Sequence, residues 1–287
     1  MSNITVEIVQ DSLVKRWGKE ARITTFLLEY PRYIHAEVMT HRVFSRNAAS
    51  SRAIPIETLA QQTIDNPVTP IHWGKNQAGM VATEQVDGDT RRTANKVWRS
   101  AAYQARHHAR ELARLGVHKQ VANRILEPFQ HIRVLVTATD FANFFHLRTH
   151  PDAQPEIQDL AKQMRRAYHG STPERLFHGE WHVPFVDRFR DVMGTLRYYV
   201  GGKEVDIETA RQVSASAAAQ TSYRKNDLSV DKALAIYDRL VTAKPVHASP
   251  FEHQATPLFW AGSRCRNFRG WRQYCTLIAG ETVHDRN

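Results

Sequence analysis

The sequence predicts a soluble globular fold that mixes β-strands with long α-helices, and three observations carry that expectation. Two stretches near the N-terminus concentrate β-formers. Several later stretches repeat apolar residues at helical spacing and end at Gly or Pro. The composition, 42% hydrophobic and 24% charged over 287 residues, is that of an ordinary globular chain, enough for one large domain or two small ones.

The strands come first. Ile4, Val6 and Ile8 alternate with Thr5 and Glu7, which predicts a short strand over 4–9. Residues 22–30 hold Ile23, Thr24, Thr25, Phe26, Leu27 and Leu28 and predict a second, ended by Pro31. Tyr33 to Met39 reads as one or two helical turns carrying His35 and Glu37. Residues 55–90 have weak periodicity and are punctuated by Pro67, Pro70, Gly74, Gly79 and Gly88, which predicts a long loop region. Within it, His72 to Gln77 reads either as a ligand cover or as a surface loop with a packed Trp73.

Helices dominate the remainder. Val97, Trp98, Ala101, Ala102, Ala105, Ala109 and Leu112 share a face of a helix over 90–115, stopped by Gly116. A second helix runs from Lys119 to Glu127, before Pro128. Residues 131–139 are aliphatic and β-branched, and fit a strand or a buried helix equally. Pro155 to Tyr168 is helical, with Ile157, Leu160, Ala161 and Met164 on one stripe. Glu208 to Ser222 and Ser229 to Ala243 complete the set, Ser229 being a candidate N-cap. No low-complexity tract or linker splits the chain, so a single domain over 1–287 is expected.

Charge and cysteine content narrow the class. There are 39 basic and 29 acidic residues, a net +10, which attracts anions such as nucleotides and phosphorylated cofactors. No run of five or more Lys/Arg, no helix-turn-helix and no Cys/His finger occurs, so nucleic acid is not the expected partner. No apolar run approaches the roughly 18 residues of a membrane span, and the first residues lack a signal-peptide layout. Two cysteines, Cys265 and Cys275, show no metal-type pairing and suit a reducing cytoplasm. His178 and His182 stand four apart, but Gly179 between them and Pro184 beyond argue against a helical zinc site. There is no Gly-x-Gly-x-x-Gly and no Walker loop.

The densest polar chemistry lies at residues 40–52, Thr-His-Arg-Val-Phe-Ser-Arg-Asn-Ala-Ala-Ser-Ser-Arg. His41, Arg42, Arg46, Arg52, Asn47 and several hydroxyls occur there with no acid among them. Such a stretch is either a solvated basic loop or a site for phosphate or another oxyanion. His41-Arg42, seven residues, then Ser50 resembles the Arg-His-Arg-x7-Ser signature of the flavin-dependent thymidylate synthases, the ThyX family, with Thr40 where the family has Arg.

Two further blocks carry the resemblance. Asn123-Arg124-Ile125-Leu126-Glu127-Pro128, then Asn143-Phe144-Phe145-His146-Leu147-Arg148, then Ala153-Gln154-Pro155-Glu156-Ile157 match the family's order of a substrate Arg, Asn-Phe-x-x-Leu-Arg and Ala-Gln-x-Glu-Ile. Read without the resemblance, Asn143 is a helix cap and Arg148 a surface ion-pair partner. His247-Ala248-Ser249-Pro250-Phe251-Glu252-His253 resembles the family's His-x-Ser/Thr-Pro-Phe-Glu-His segment, and Ala219 to Tyr223 its Ala-Arg-Val-Ser-Tyr. On residues alone this His-rich turn is a metal site or an ordered turn, and Pro250 and Phe251 favour the turn. In ordinary members these two segments precede the Arg-His-Arg motif. Here they follow it, so the chain is similar to a permuted, divergent member with blocks at 37–52, 118–157 and 219–253.

The resemblance implies an α+β fold, an antiparallel sheet packed with several long helices. It implies FAD as cofactor, with NADPH and methylenetetrahydrofolate as co-substrates, no metal, and reductive methylation at C5 of a uridine monophosphate, dUMP to dTMP. It casts Arg148 and Ser50 as catalytic, and Glu37, Ser50, Ser51, Arg52, Arg124 and Arg148 as nucleotide-binding. Glu37 replaces the usual Gln. It casts Thr40, His41, Arg42, Thr137, Thr139, Asn143 and Ser249 as flavin-binding, Thr137 and Thr139 standing where the family has Asn and Arg, and Ala48 where it has Glu. It implies a homotetramer. Two other functions stay open: a UMP C5-methylase of a nucleoside-antibiotic pathway, and a nucleotide- or RNA-binding relative without turnover. Neither cysteine lies in a block, consistent with a route needing no thiolate nucleophile.

Overall fold

The computed structural model describes residues 4–221 and 229–278. The two expected N-terminal strands form one long hairpin. β1 (Thr5–Arg16) and β2 (Lys19–Pro31) pair antiparallel along their whole length, with a bulge between Ile8 and Gln10. β1 thus runs seven residues beyond the expected end at residue 9. Its second half, Asp11 to Arg16, is polar and lacks the alternation that marks a strand; pairing with β2 compels it.

α1 (His35–Met39) follows, and then β3 (Ser45–Ala48) lies inside the polar stretch. The supposed loop at 55–90 opens with a helix, α2 (Ile56–Asp65), which buries Leu59, Ala60 and Thr63. Its few apolar positions escape a periodicity reading because only one narrow stripe is buried. α3 (Gly88–Arg114) is the long helix expected at 90–115, capped by the Asp87 side chain, which accepts from the Thr90 amide. α4 (Lys119–Ala122) passes into a 3-10 segment, Asn123–Phe129, because Pro128 lacks the amide an α-helix requires.

Residues 131–138 resolve as a strand, β4 (His131–Ala138), flanked on both sides by partners. α5 (Ala142–Arg148) and α6 (Pro155–Gly170) come next, α6 with Gln154 as N-cap and Pro155 in its first turn. Then come β5 (Glu174–Arg175), a small antiparallel meander of β6 (Asp187–Arg190), β7 (Leu196–Val200) and β8 (Lys203–Val205), and helices α7 (Ile207–Gln220) and α8 (Val230–Thr242). β9 (Ala255–Pro257), β10 (Arg264–Cys265), β11 (Phe268–Arg269) and β12 (Trp271–Gln273) complete the described chain as two small hairpin sheets. The expected helix at 208–222 matches α7, but Ser222 and Tyr223 of the third block lie outside the described residues.

The architecture is α+β. The main sheet has the order β3-β4-β2-β1-β5, antiparallel except for the β1–β5 edge. Both faces are covered, which is why β2 carries apolar residues on both, Ile23 on one and Phe26, Leu28 and Tyr30 on the other. Phe26, Leu28 and Tyr30 of β2 join Val134 and Val136 of β4 under Phe141, Phe144, Ile157 and Leu160 of the α5–α6 region. Ile23, on the opposite face, packs with Val213, Phe251 and Trp271 from the C-terminal third. One sheet therefore serves two cores. No helix among the described residues is long and apolar enough to cross a membrane.

Candidate functional site

The register of β3 on β4 places the polar side chains. Ser45 faces Thr137 and Ala48 faces Val134 in an antiparallel pair. The residues just before β3 therefore sit beside those just after β4, and the residues just after β3 beside those just before β4. Two clusters result, one at each end of a four-residue strand, roughly 13 Å apart along it.

The first cluster centres on Arg148, at the end of α5. Its Nε donates to His41 Nε2 at 3.1 Å, its Nη1 to Glu37 Oε2 at 3.2 Å and its Nη2 to Thr40 Oγ1 at 3.2 Å. Residues 107 to 111 positions apart in sequence thus meet on one guanidinium. Three of its five N–H groups are occupied, and two remain for a ligand. The side chain is 22% exposed, so the group is reachable from solvent. His41 is buried, its ring edge-on to Phe144 at 4.8 Å. Burial, then the charges of Arg148 and Arg46, hold its pKa below the ordinary value. Because Nε2 accepts from Arg148, the neutral ring carries its proton on Nδ1.

Arg46, which the sequence reading left without a role, builds this cluster from behind. Its Nη1 donates to the backbone carbonyls of Val38, Met39 and His41 at 3.3, 3.1 and 3.1 Å. Those carbonyls lie at and just beyond the C-terminal end of α1, where helix carbonyls lack partners. Arg46 so fixes the turn that presents Glu37, Thr40 and His41.

The second cluster centres on Glu127, also without an assigned role beforehand. Its Oε1 accepts from Ser51 Oγ at 2.8 Å and from Arg124 at 2.9 Å, and pairs with Arg32 at 3.1 Å. The Arg124–Glu127 spacing of three is a helical neighbour relation that was legible in the sequence; the Ser51 and Arg32 contacts were not. Asn123 supports the loop by donating to the carbonyls of Ser51 and Ile54 at 2.7 and 3.0 Å. Arg52 and Arg124 are exposed, and Ser50 is half-buried with its Oγ accepting from the Arg52 amide at 3.3 Å.

The third block reaches the first. Ser249 to Glu252 form the ordered turn expected, a 3-10 helix with Pro250 and Phe251 buried. Gln273 Nε2 donates to Ser45 Oγ at 2.8 Å and to the Glu252 carbonyl at 2.9 Å, joining that turn to β3. His253 is fully buried and hydrogen-bonds Thr137 Oγ1 at 2.8 Å. Thr137 in turn meets Thr25 at 2.7 Å, Thr25 meets His182 Nε2 at 2.8 Å, and His182 Nδ1 meets Ser12 at 2.8 Å. Burial alone pushes His253 down to about 3, and burial followed by the Arg188 charge pushes His182 well below its ordinary value. His182 is therefore a neutral member of a buried polar chain.

This corrects the expectation for Thr137. Its side chain has no exposure and its hydroxyl is spent on Thr25 and His253, so it faces the interior and not a ligand. The pairing of Thr25 directly opposite Thr137 causes it. Thr139 is also buried, and its hydroxyl accepts from the Arg269 amide at 3.0 Å, but it lines a cavity of about 500 Å³ with Asp140, His146, Arg165 and Arg269. Thr40, Arg42, Asn143 and Ser249 are exposed. These four are open to solvent, whereas Thr137 is not.

A family model described as thymidylate synthase complementing protein matches residues 20–174. No curated protein sequence matches the chain. Among solved structures, the chain is similar to a UMP/dUMP methylase, PolB from Streptomyces cacaoi, bound with 5-Br dUMP. That match is 21% identical, covers 58% of this chain and 90% of that one, and has a TM-score of 0.48. The same protein bound with 5-Br UMP matches at 21% identity, covering 58% and 89%, with a TM-score of 0.46.

Proposed function

The chain belongs to the thymidylate synthase complementing protein family, the flavin-dependent thymidylate synthases, and from that premise we propose that it methylates C5 of the uracil ring of a uridine monophosphate. The favoured reaction converts dUMP to dTMP with methylenetetrahydrofolate as carbon donor, NADPH as reductant and FAD as cofactor. The observation that carries the reading is the meeting of Glu37, Thr40 and His41 with Arg148, two family blocks joined on one partly exposed guanidinium.

Arg148 is the catalytic residue. For C5 to attack a carbon electrophile, negative charge must be stabilised at N3 and the neighbouring carbonyl oxygen. The two free N–H groups of Arg148 are suited to that oxygen, and the Glu37, Thr40 and His41 contacts hold the guanidinium plane so that little reorganisation is needed. Neutral His41 accepts from Arg148 without adding a second repelling charge. Arg124, Arg52 and Ser50 bind the nucleotide phosphate and sugar, with Glu127 holding Arg124 in place; Ser51, expected to bind it too, is buried with its hydroxyl donated to Glu127 and holds the loop. Ser50 also stays assigned near the reacting ring. Thr40, His41, Arg42, Asn143 and Ser249 hold the flavin, with Thr139 at the cavity beside it. When bound, the flavin supplies the hydride that completes the methyl group.

The two clusters stand apart in one chain, and the Arg148 cluster opens at the surface. Both features suit a homotetramer in which neighbouring chains complete each site. The whole chain, 1–287, acts as one catalytic domain, because the C-terminal third covers the second face of the same sheet. Reducing cytoplasm suits a protein whose Cys265 and Cys275 form no disulfide. A second reading, UMP as substrate, is favoured by Glu37: an acceptor-only carboxylate beside Arg148 suits a ribose 2′-hydroxyl donor.

The test is direct. The purified protein is heated and the supernatant examined for flavin; it is then assayed with dUMP and UMP side by side, with methylenetetrahydrofolate and NADPH, and the nucleotides separated. Flavin release and a C5-methylated product support the proposal, and the ratio of kcat/KM values decides between substrates. Absence of bound flavin, of flavin reduction by NADPH and of product from either nucleotide overturns it.

A further inference from the structure

Away from both clusters, two segments some 240 residues apart place three aromatic rings side by side on the surface. Trp17 is 71% exposed, Phe259 57% and Trp260 56%. Their ring centroids lie 5.8 Å (Trp17–Trp260), 6.4 Å (Trp17–Phe259) and 5.6 Å (Phe259–Trp260) apart. The Arg16 guanidinium sits over the Phe259 ring, 5.8 Å from its centroid. The Lys19 side chain lies against Gly262 of the same aromatic turn. Residues 15–20 and 258–266 together hold five Lys or Arg and one acidic residue, Glu20; Lys15 pairs with Glu20 at 2.7 Å and Arg264 with Asp140 at 2.9 Å, while Arg16 and Lys19 stand against the aromatic turn.

Two details show that the fold maintains these rings at a cost. Trp17 and Gly18 are the two-residue turn of the β1–β2 hairpin, at φ 52° and 71°. That turn type suits Asn, Asp or Gly at its first position, whereas a bulky side chain there is strained. Trp17 accepts the strain and yet stays mostly exposed, so interior packing does not repay it; strain of this kind gathers where a residue meets a ligand. The opposing turn is locked. Leu258 donates its amide to the Gly270 carbonyl at 2.9 Å, Gly270 to Ser263 at 2.7 Å and Ser263 to Trp260 at 3.0 Å. Trp271 Nε1 reaches the Ala21 carbonyl at 3.2 Å. Gly270, at φ +80°, lies so close that a Cβ would stand 2.4 Å from that of Ala21. The rings are thus pre-organised, and ordering them costs a ligand little.

We propose that Trp17, Phe259 and Trp260, with Arg16 and Lys19, form a stacking platform for single-stranded nucleic acid. Aromatic faces take unpaired bases in any sequence while the flanking cations take the phosphates. The chain's net charge of +10 favours the same polyanion. The patch sets cations against its rings, Arg16 over Phe259 and Lys19 beside Gly262, which suits a strand of bases and phosphates. A neutral sugar would have no use for its cations. Because tertiary structure assembles the platform, no linear nucleic-acid motif announces it. The inference is independent of the methylation reading, since neither segment contains a residue assigned there.

The experiment uses the full-length protein and a fluorescein-labelled, uridine-rich 12-nucleotide RNA, with DNA of matching sequence as a second arm, followed by anisotropy at about 50 and 200 mM salt. Trp17→Asn is the central variant because it relaxes the turn and so preserves folding; Trp260→Ser and Lys19→Gln accompany it. The expected result is saturable binding that weakens with salt, about tenfold or more loss of affinity in Trp17→Asn at unchanged or higher Tm, and a shallower salt slope in Lys19→Gln. The RNA and DNA arms report which strand is preferred. Lack of binding to both strands, or binding unchanged in Trp17→Asn and Trp260→Ser, overturns the proposal. So does a ring-dependent response only to anionic vesicles, or only to protein concentration, which would assign the patch to a membrane or to a second copy of the chain.

Discussion

Replacing Arg148 by Ala removes one guanidinium that touches three side chains and offers two further N–H groups. The structural loss is modest. Arg148 and Glu37 are 22% and 36% exposed, so their 3.2 Å ion pair is screened and contributes at most about 1 kcal/mol. The Tm should therefore fall by only a few degrees. The catalytic loss is larger, because a preorganised donor to charge that develops in the transition state contributes about 3 kcal/mol, roughly a hundred-fold in turnover. Arg148→Lys keeps the charge but loses the planar fork, and should recover only part of it. The structure adds a readout that does not need turnover. Arg148 is the second cause, after burial, of the lowered His41 pKa, so in Arg148→Ala the His41 titration should move up towards its ordinary value. Steady-state kinetics at saturating nucleotide, folate and NADPH measures the first effect, and NMR of the His41 ring the second. Near-normal turnover in Arg148→Ala would refute the catalytic role, and an unmoved His41 titration would refute the contact.

Other expectations follow from the same geometry. Arg46→Ala frees the carbonyls of Val38, Met39 and His41; it should cost about 2 kcal/mol and raise KM for the nucleotide, checked by urea unfolding and kinetics, with unchanged stability counting against the capping role. Arg124→Ala and Arg52→Ala should raise KM with little change in kcat, since both act on ground and transition states alike. The fully buried His182 and His253 have folded pKa values depressed below the unfolded value near 6.5. Below pH 6.5 the unfolded chain binds protons that the native one refuses, so stability should fall as pH drops towards 4, by up to about 2.7 kcal/mol per pH unit for the pair. Urea midpoints that stay flat between pH 7 and 5 would contradict this. Methyl transfer should survive in a Cys265→Ser, Cys275→Ser variant, because neither thiol contacts the Arg148 or Glu127 cluster. A folded, nucleotide-binding double variant without turnover would defeat the thiol-free route.

What the sequence by itself determined was local. Apolar spacing placed α3 and α6, with Gly116 after the one and Pro155 at the start of the other, and Ser229 marked the start of α8, because a helix's contacts fall within a few residues of each other. The polar stretch at 40–52 and the blocks around Arg124, Arg148 and Ser249 were legible because their residue types and spacings are themselves the signal. The pairing of strands was not, because it joins distant residues. Only the register of Ser45 on Thr137 brought His41 to Arg148 and left Ser51 with Glu127 at the other end of β3. The same pairing turned Thr137 inward, against Thr25, where its hydroxyl serves the buried chain to His253. Arg46 looked like one more cation of a basic loop; its role exists only where α1 ends beneath it. α2 stayed hidden because one narrow buried stripe leaves little pattern, and the polar end of β1 because its strand character comes from its partner. Trp17 and Trp260 are far apart in the sequence and meet only where the hairpin tip and the 258–270 turn come together. Local propensity is written within a few residues, but a surface, a register or a charge cluster is a relation between distant ones, and the packed fold alone decides which of them meet.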